Sequence, residues 1–378
     1  MIKDRPDLVA IIYSFERAGS ERLGATVAEV IAARGWNVRV CATHAGDGPL
    51  RAELEARGIA CTGFDIERYN RLDRRCRIYR ELAAMRPQVL HVQHFSMLAL
   101  CYLPARLARV PRIVVTEHSD AKLRASPGLR RRAVRLARSI DAVTVIHPRL
   151  RDYVVQELCM PADNVHTIVN GVDTGKYRPL DLDQARSTQI GPEEMVIGCV
   201  ARLHPDKDHM NLLEAFSLLP AGTARLLLVG EGLERSRLEA RVHALGLSHR
   251  VEFLGERADI ASLIPQFDCL VLASRTEGLP LVLIEAMACG VPCVATAVGG
   301  VPDLLSPDAG VVVPPGNPGA LAEALDGLRL DPQRRAHLAS RSRSLAVSRY
   351  DMEKMVDAYS TVLQLSAQDR CAVRQIAI

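Results

Sequence analysis

Short runs rich in Val, Leu and Ile alternate with longer amphipathic stretches from one end of the chain to the other. In the first half the runs are LVAIIY (8–13), NVRVCA (37–42), IACTGF (59–64), QVLHV (88–92), RIVVTE (112–117), DAVTVI (141–146) and NVHTIV (164–169). Helix-length segments separate most of them. In ERLGATVAEVIAARG (21–35), Ala25, Val27, Ala28, Val30 and Ile31 form an apolar stripe, and Gly35 stands at the stop position. The rhythm restarts with MVIGCVA (195–201), ARLLLVG (224–230), RVEFLG (250–255), DCLVLAS (268–274), PCVAT (292–296) and GVVVP (310–314), with helical segments such as 208–219 and 233–246 between them. Near-continuous aliphatic runs are what strands buried on both faces require. The alternation therefore predicts an α/β chain of two parallel sheets flanked by helices, each a doubly wound, Rossmann-like domain.

The break falls in NGVDTGKYRPLDLDQARSTQIGPEE (170–194), which is polar, turn-rich and without periodicity. It divides a first domain, 1–175, from a second that begins at 176. The DLD at 181–183 has the form of a metal-binding DxD, but no strand leads into it, and it is read as part of the linker. A length of 378 residues, 48% hydrophobic, suits two domains with substantial cores. The start, MIKDRPDLVAIIYSF, is charged ahead of a short apolar run, unlike a secretory signal. The longest apolar candidate, 95–110, is cut by Pro104 and falls short of the roughly 20 residues a membrane helix needs. The ten cysteines are scattered without a CxxC pair, and Cys289 and Cys293 read as core packing. These features predict a soluble, cytoplasmic protein.

Charge is unevenly divided. Residues 1–178 carry 29 Lys+Arg and 19 Asp+Glu, a net of +10; residues 179–378 carry 19 and 25, a net of −6. The first half therefore meets an anionic partner or simply exposes an arginine-rich surface. The run 122–138 has seven basic residues and no acid, with Ala133, Val134 and Leu136 as a partial apolar face. It fits contact with an anionic membrane or a lipid-phosphate acceptor, or else a solvated face. Low aromatic content argues against nucleic acid as the partner.

In open parallel sheets, ligands bind outside the carboxyl ends of the strands, and two such domains make a crevice between facing strand ends the expected site. The loop RTEGLP after DCLVLAS places Glu277 at a strand end, and Glu285 follows in the next helix, which is expected from Leu281 to Cys289. The N–H groups of Gly278, Leu279, Leu281 and Val282 surround that helix start and suit a phosphate. Two carboxylates in a largely apolar segment need donors, which the hydroxyls of a sugar supply. The simpler reading is a helix-start Glu and a surface-loop Glu. The loop RLHPDKDH after MVIGCVA carries Arg202 and Lys207, cations suited to a diphosphate. Gly230, in GEG, allows close backbone approach, and Gly19, after the first strand, allows approach to a phosphate. His118 stands at the end of RIVVTE. His91 and His94, three apart, are expected on opposite faces and are not read as metal ligands.

Taken in order, AGSERL, TEHSD, NGVD, ARLHPDK, GEG, VEFLG and EGLPLVLIEAMACGVPCVAT resemble the retaining GT-B glycosyltransferases of family 4 (GT4), the last being the family's EX7E segment. The resemblance implies that Glu277 contacts the donor sugar and Glu285 the ribose. Arg202 and Lys207 neutralise the diphosphate, and the backbone near Gly255 meets the nucleobase. His118 lies beside the donor sugar and Gly19 near its phosphates. Where many members have two glycines, this chain has Ala18-Gly19. The segment 350–364 resembles the closing helix that returns to the first domain, so the second domain is expected over 176–349 and the return over 350–378. The implied chemistry is front-face displacement with retention, the leaving oxygen taking the acceptor's proton, with no metal or cofactor. The implied partners are a nucleotide sugar, UDP-linked as a first guess, and a hydroxyl acceptor: a saccharide, a lipid-linked saccharide or a small molecule. An epimerase of similar architecture and a non-catalytic nucleotide-sugar or nucleic-acid binder are the alternatives.

Overall fold

The computed structural model describes residues 5–16, 19–44, 46–180 and 194–365. The chain divides into two compact units: Met1–Asn170 with Glu353–Ile378, and Gly171–Met352.

In the first unit seven strands follow the seven aliphatic runs: β1 (Leu8–Ile12), β2 (Val38–Ala42), β3 (Ala60–Gly63), β4 (Val89–Gln93), β5 (Arg112–Glu117), β6 (Ala142–Val145) and β7 (Val165–Thr167). They pair in parallel in the order β3-β2-β1-β4-β5-β6-β7. Every residue of β1 and β4 is buried, as expected of strands covered on both faces. The helix Gly19–Ala33 buries Leu23, Ala25, Val27, Ala28 and Ile31. Gly35 ends it at φ 87°, a left-handed conformation that costs glycine nothing.

The second unit contains β8 (Met195–Val200), β9 (Ala224–Val229), β10 (Val251–Gly255), β11 (Cys269–Leu272), β12 (Cys293–Thr296) and β13 (Gly310–Val313), parallel in the order β10-β9-β8-β11-β12-β13. Its core joins Ile197, Leu226, Leu228 and Val271 to Leu212, Phe216, Leu321 and Leu325 of the covering helices. Both sheets therefore have the doubly wound form that the alternation predicts.

The unit boundaries fall a few residues from the expected ones, for a local reason. Val172 and Asp351 form a parallel bridge, and the Met352 N–H donates to the Val172 carbonyl at 2.9 Å. Thr174 Oγ1 donates to Asp351 at 2.5 Å, and Arg343 donates to the carbonyls of Thr174 and Tyr177. These bonds fasten 171–180, expected as linker, to the second unit. The DLD at 181–183 and Ala18 lie outside the described residues. The helix Met352–Leu363 belongs mainly to the first unit. Its Tyr359 hydroxyl lies 3.5 Å from Thr116 Oγ1, Arg34 pairs with Glu353 and Asp357, and Arg112 donates to the Val362 carbonyl. The described cysteines are free thiols; Cys289 and Cys293 are buried, which raises both of their pKa values. Among the described residues no helix is long and apolar enough to cross a membrane.

Candidate active site

In the second unit, β8 and β11 are neighbours whose next strands lie on opposite sides. The loops leaving their carboxyl ends therefore part, and such a switch point is where open α/β sheets bind ligands. Lys207 closes a short turn, Pro205–Lys207, in the loop after β8, and Glu277 lies in the loop after β11. The two meet: Lys207 Nζ donates to Glu277 Oε1 at 2.5 Å. Ser274 Oγ donates to the same oxygen at 2.6 Å, and Thr296 Oγ1 fixes the Ser274 carbonyl at 2.6 Å. The Glu277 side chain is only 9% exposed. Its second oxygen accepts no hydrogen bond among the described residues, which leaves it for donors on a ligand.

The helix after this loop, Leu281–Ala288, has no side-chain cap at its start, so its first N–H groups are candidates for the expected anion site. Glu285 is half-buried in the middle of this helix. The loop is backed by the Gly299-Gly300 pair, which the sequence reading passed over: the Gly300 N–H donates to the Gly278 carbonyl at 2.7 Å. Gly299 sits at φ 53°, and a Cβ there would lie 2.0 Å from the Glu277 carbonyl oxygen. Gly299→Ala is expected to destabilise the unit by about 1–3 kcal/mol, measurable by urea unfolding, because strain and overpacking act together.

Arg202 is exposed, and its side chain has no partner among the described residues. Gly230 approaches a neighbouring loop: a Cβ would lie 2.2 Å from the Ala201 carbonyl oxygen. Hydrogen bonds from Leu203 N to Glu231 O and from Glu234 N to Leu203 O stitch the GEG loop to the Arg202 loop. Gly255 ends β10 at φ 68°, and its carbonyl accepts from Gly230 N at 2.8 Å. The structure thus brings Arg202, Lys207, Gly230, Gly255 and Glu277 to the carboxyl ends of the strands of one sheet.

In the first unit the switch point lies between β1 and β4. Gly19 opens the helix after β1, and a Cβ on it would meet nothing within 4 Å. His94 follows β4 directly, at φ 73° and ψ 142°, a conformation rare outside glycine. Its Nδ1 lies 2.7 Å from Glu117 Oε1, and its ring lies 4.7 Å from that of His118. His118, at the end of β5, is buried, with its Nε2 2.7 Å from Gln93 Oε1. His91 lies inside β4, buried, with its Nε2 2.7 Å from Thr116 Oγ1. His94 and Glu117 are candidate site residues that the sequence alone does not single out. Their pairing depends on β4 and β5 being neighbours, which no local pattern displays.

Burial would raise the Glu117 pKa, but His94 and the N–H groups of Phe95 and His118 outweigh it and hold the carboxyl below its ordinary range. Burial pushes His118 well below the ordinary histidine value, with His94 and His91 adding to the effect. Burial also lowers His91 to about 4. The unfolded chain takes up a proton at His91 near pH 6.5, while the folded chain refuses it until about pH 4. Stability is therefore undiminished above about pH 6.5 and falls towards pH 4, by on the order of 3 kcal/mol from His91. Urea unfolding across this window is expected to show a shallower pH slope for His91→Gln than for the wild type; equal slopes would contradict it.

The basic run 122–138 is split at Ser126 into two helices, Ala121–Ala125 and Pro127–Ala137. Ala133 and Ala137 are buried and Val134 and Leu136 half-buried, so the apolar side is largely used within the unit. Arg130, Arg131, Arg132 and Arg135 are exposed. A pocket of about 410 Å³ is lined by Arg124, Arg130, Arg131 and Arg135, with Glu157 pairing with Arg124 and Arg130.

Two doubly wound units with loops of this kind define a GT-B glycosyltransferase fold. The Anabaena HepE protein, solved with UDP and glucose, superposes with a TM-score of 0.85 at 24% identity, covering 96% of this chain and all of that one. The same protein solved with UDP gives 0.84 at 25% identity, covering 95% of this chain. Residues 17–176 match Glycosyltransferase Family 4 and residues 182–345 match Glycosyl transferases group 1, and the chain belongs to this family. Among its relatives, the N-acetyl-alpha-D-glucosaminyl L-malate synthase of Bacillus anthracis is 29% identical over 281 residues, covering 72% of this chain and 74% of that protein. The GDP-mannose-dependent monoacylated alpha-(1-6)-phosphatidylinositol monomannoside mannosyltransferase of Corynebacterium glutamicum is 29% identical over 286 residues, covering 71% and 74%.

Proposed function

We propose that the protein moves a sugar from a nucleotide diphosphate sugar to a hydroxyl acceptor, with retention of anomeric configuration. The observation that carries this reading is the Lys207–Glu277 pair at the switch point of the second sheet. A diphosphate over the start of the helix Leu281–Ala288 draws Lys207 and Arg202. Glu277 takes the hydroxyls of the transferred sugar and Glu285 those of the ribose. As the bond from the sugar to the phosphate oxygen breaks, the cations and the helix start hold the charge that develops. The acceptor oxygen bonds to the same face of the sugar, and its proton passes to the departing phosphate oxygen. Catalysis is then mostly positioning and charge stabilisation. His118, neutral by burial, is read as a partner for the sugar.

UDP is the first donor nucleotide to test, in keeping with the UDP complex of HepE; GDP enters because the mannosyltransferase relative is named for it. The relatives' names point to anionic acceptors, L-malate in one and a phosphatidylinositol mannoside in another, and the arginine-rich face of the first unit suits such an acceptor or an anionic membrane surface. Thermal stabilisation by a panel of UDP-, GDP- and ADP-sugars identifies the donor. Mass detection of a new glycoside separates transfer from epimerisation, which converts the donor alone, and from binding without turnover. Retention predicts that NMR finds the donor's anomeric configuration in the product; an inverted product contradicts the mechanism. Flotation with anionic vesicles at low salt tests the basic face, with loss of binding expected at high salt.

A further inference from the structure

Lys207 and Glu277 have different destinations in the proposed reaction, a phosphate and a sugar hydroxyl. A bound donor therefore weakens the one side-chain contact they share. A second ion pair joins the same two loops. Asp208, next to Lys207, accepts from Arg275 Nε at 2.8 Å and from Nη2 at 3.2 Å, a forked pair across 67 positions of sequence. Arg275 is two residues before Glu277, and its N–H donates to the Asp206 carbonyl at 2.8 Å.

Three features say that this pair serves something other than local folding. Asp208 occupies a left-handed conformation, φ 47° and ψ 45°, which glycine adopts more cheaply. It stands at the N-cap of the helix His209–Ser217, where an aspartate ordinarily caps the helix, yet its side chain makes no capping bond and turns to Arg275 instead. The Asp208 side chain is 4% exposed while that of Arg275 is 68% exposed, so the arginine is held at the surface by a buried carboxylate rather than by packing.

We propose that Asp208 and Arg275 are positioning residues, a clamp that keeps the Lys207 loop and the Glu277 loop in register while the donor separates Lys207 from Glu277. The proposal rests on the nucleotide-sugar reading of this site. The clamp touches neither the sugar nor the phosphates; it sets the distance between the groups that do.

The test uses Asp208→Gly, which suits the backbone and removes the carboxylate, with Arg275→Ala, the double variant and Arg275→Lys. Each of the first two is expected to lower kcat about tenfold while donor KM changes less than about threefold, since small misplacement costs turnover. The double variant is expected to be no worse than either single one, as two halves of one contact should be. Arg275→Lys recovers part of the rate. Asp208→Gly keeps the wild-type urea midpoint or raises it, which separates positioning from folding. Hydrogen exchange is expected to rise in both 202–208 and 274–280 in the clamp variants. Unchanged kcat in the single variants, multiplying losses in the double, or unchanged exchange overturns the clamp alone. A wild-type protein that neither binds nor turns over any nucleotide sugar overturns the parent reading and this role with it.

Discussion

Lys207→Ala is expected to lower turnover by about two or more orders of magnitude, because it removes a cation from the place where the leaving diphosphate gains charge. A loss of that size corresponds to roughly 2.7 kcal/mol of transition-state stabilisation. The ground state loses something as well. Glu277 is left with Ser274 as its partner, and a nearly buried carboxylate short of donors is costly. Thermal unfolding of the variant separates that loss from the catalytic one, since the kinetic defect persists at temperatures where the variant is fully folded. Near-normal turnover in folded Lys207→Ala would refute the assignment.

Glu277→Gln has the second large effect, and its signature differs. The amide keeps nearly the same shape, but its uncharged oxygen stays with Lys207 and Ser274, which both donate to Oε1, and an NH2 group takes the place of the carboxylate oxygen offered to the sugar. Hydrogen bonds to a charged group contribute about 1.5–3 kcal/mol each, so losing the charge from one or two sugar contacts lowers kcat/KM about a hundredfold. Affinity for the nucleoside diphosphate alone is expected to stay near the wild-type value, because Glu277 is assigned to the sugar. Calorimetric titration with the diphosphate and with the nucleotide sugar distinguishes the two cases. A variant that still gains affinity from the sugar would show that Glu277 does not hold it.

Much of the fold is legible in the chain because buried parallel strands need continuous Val, Leu and Ile, and each of the thirteen aliphatic runs became a strand. The candidate loops are legible for the same reason: once the strand ends are known, Lys207 and Glu277 fall just beyond two of them. What the residues could not display is which strands become neighbours. His94 and Glu117 pair because β4 lies beside β5. Asp208 and Arg275 are brought together only by the adjacency of β8 and β11. The requirement for glycine at 299 comes from the Glu277 carbonyl packed against it, which local sequence does not display. The polar composition of 171–180 hides a bridge from Val172 to Asp351 that local sequence does not encode.

The most direct test of the central claim is a crystal structure of the protein with an intact nucleotide sugar. The account predicts a diphosphate oxygen about 3 Å from Lys207 Nζ, a sugar hydroxyl on Glu277, and the two side chains no longer paired as in the free protein. A nucleotide bound elsewhere, with the Lys207–Glu277 contact intact, would contradict it.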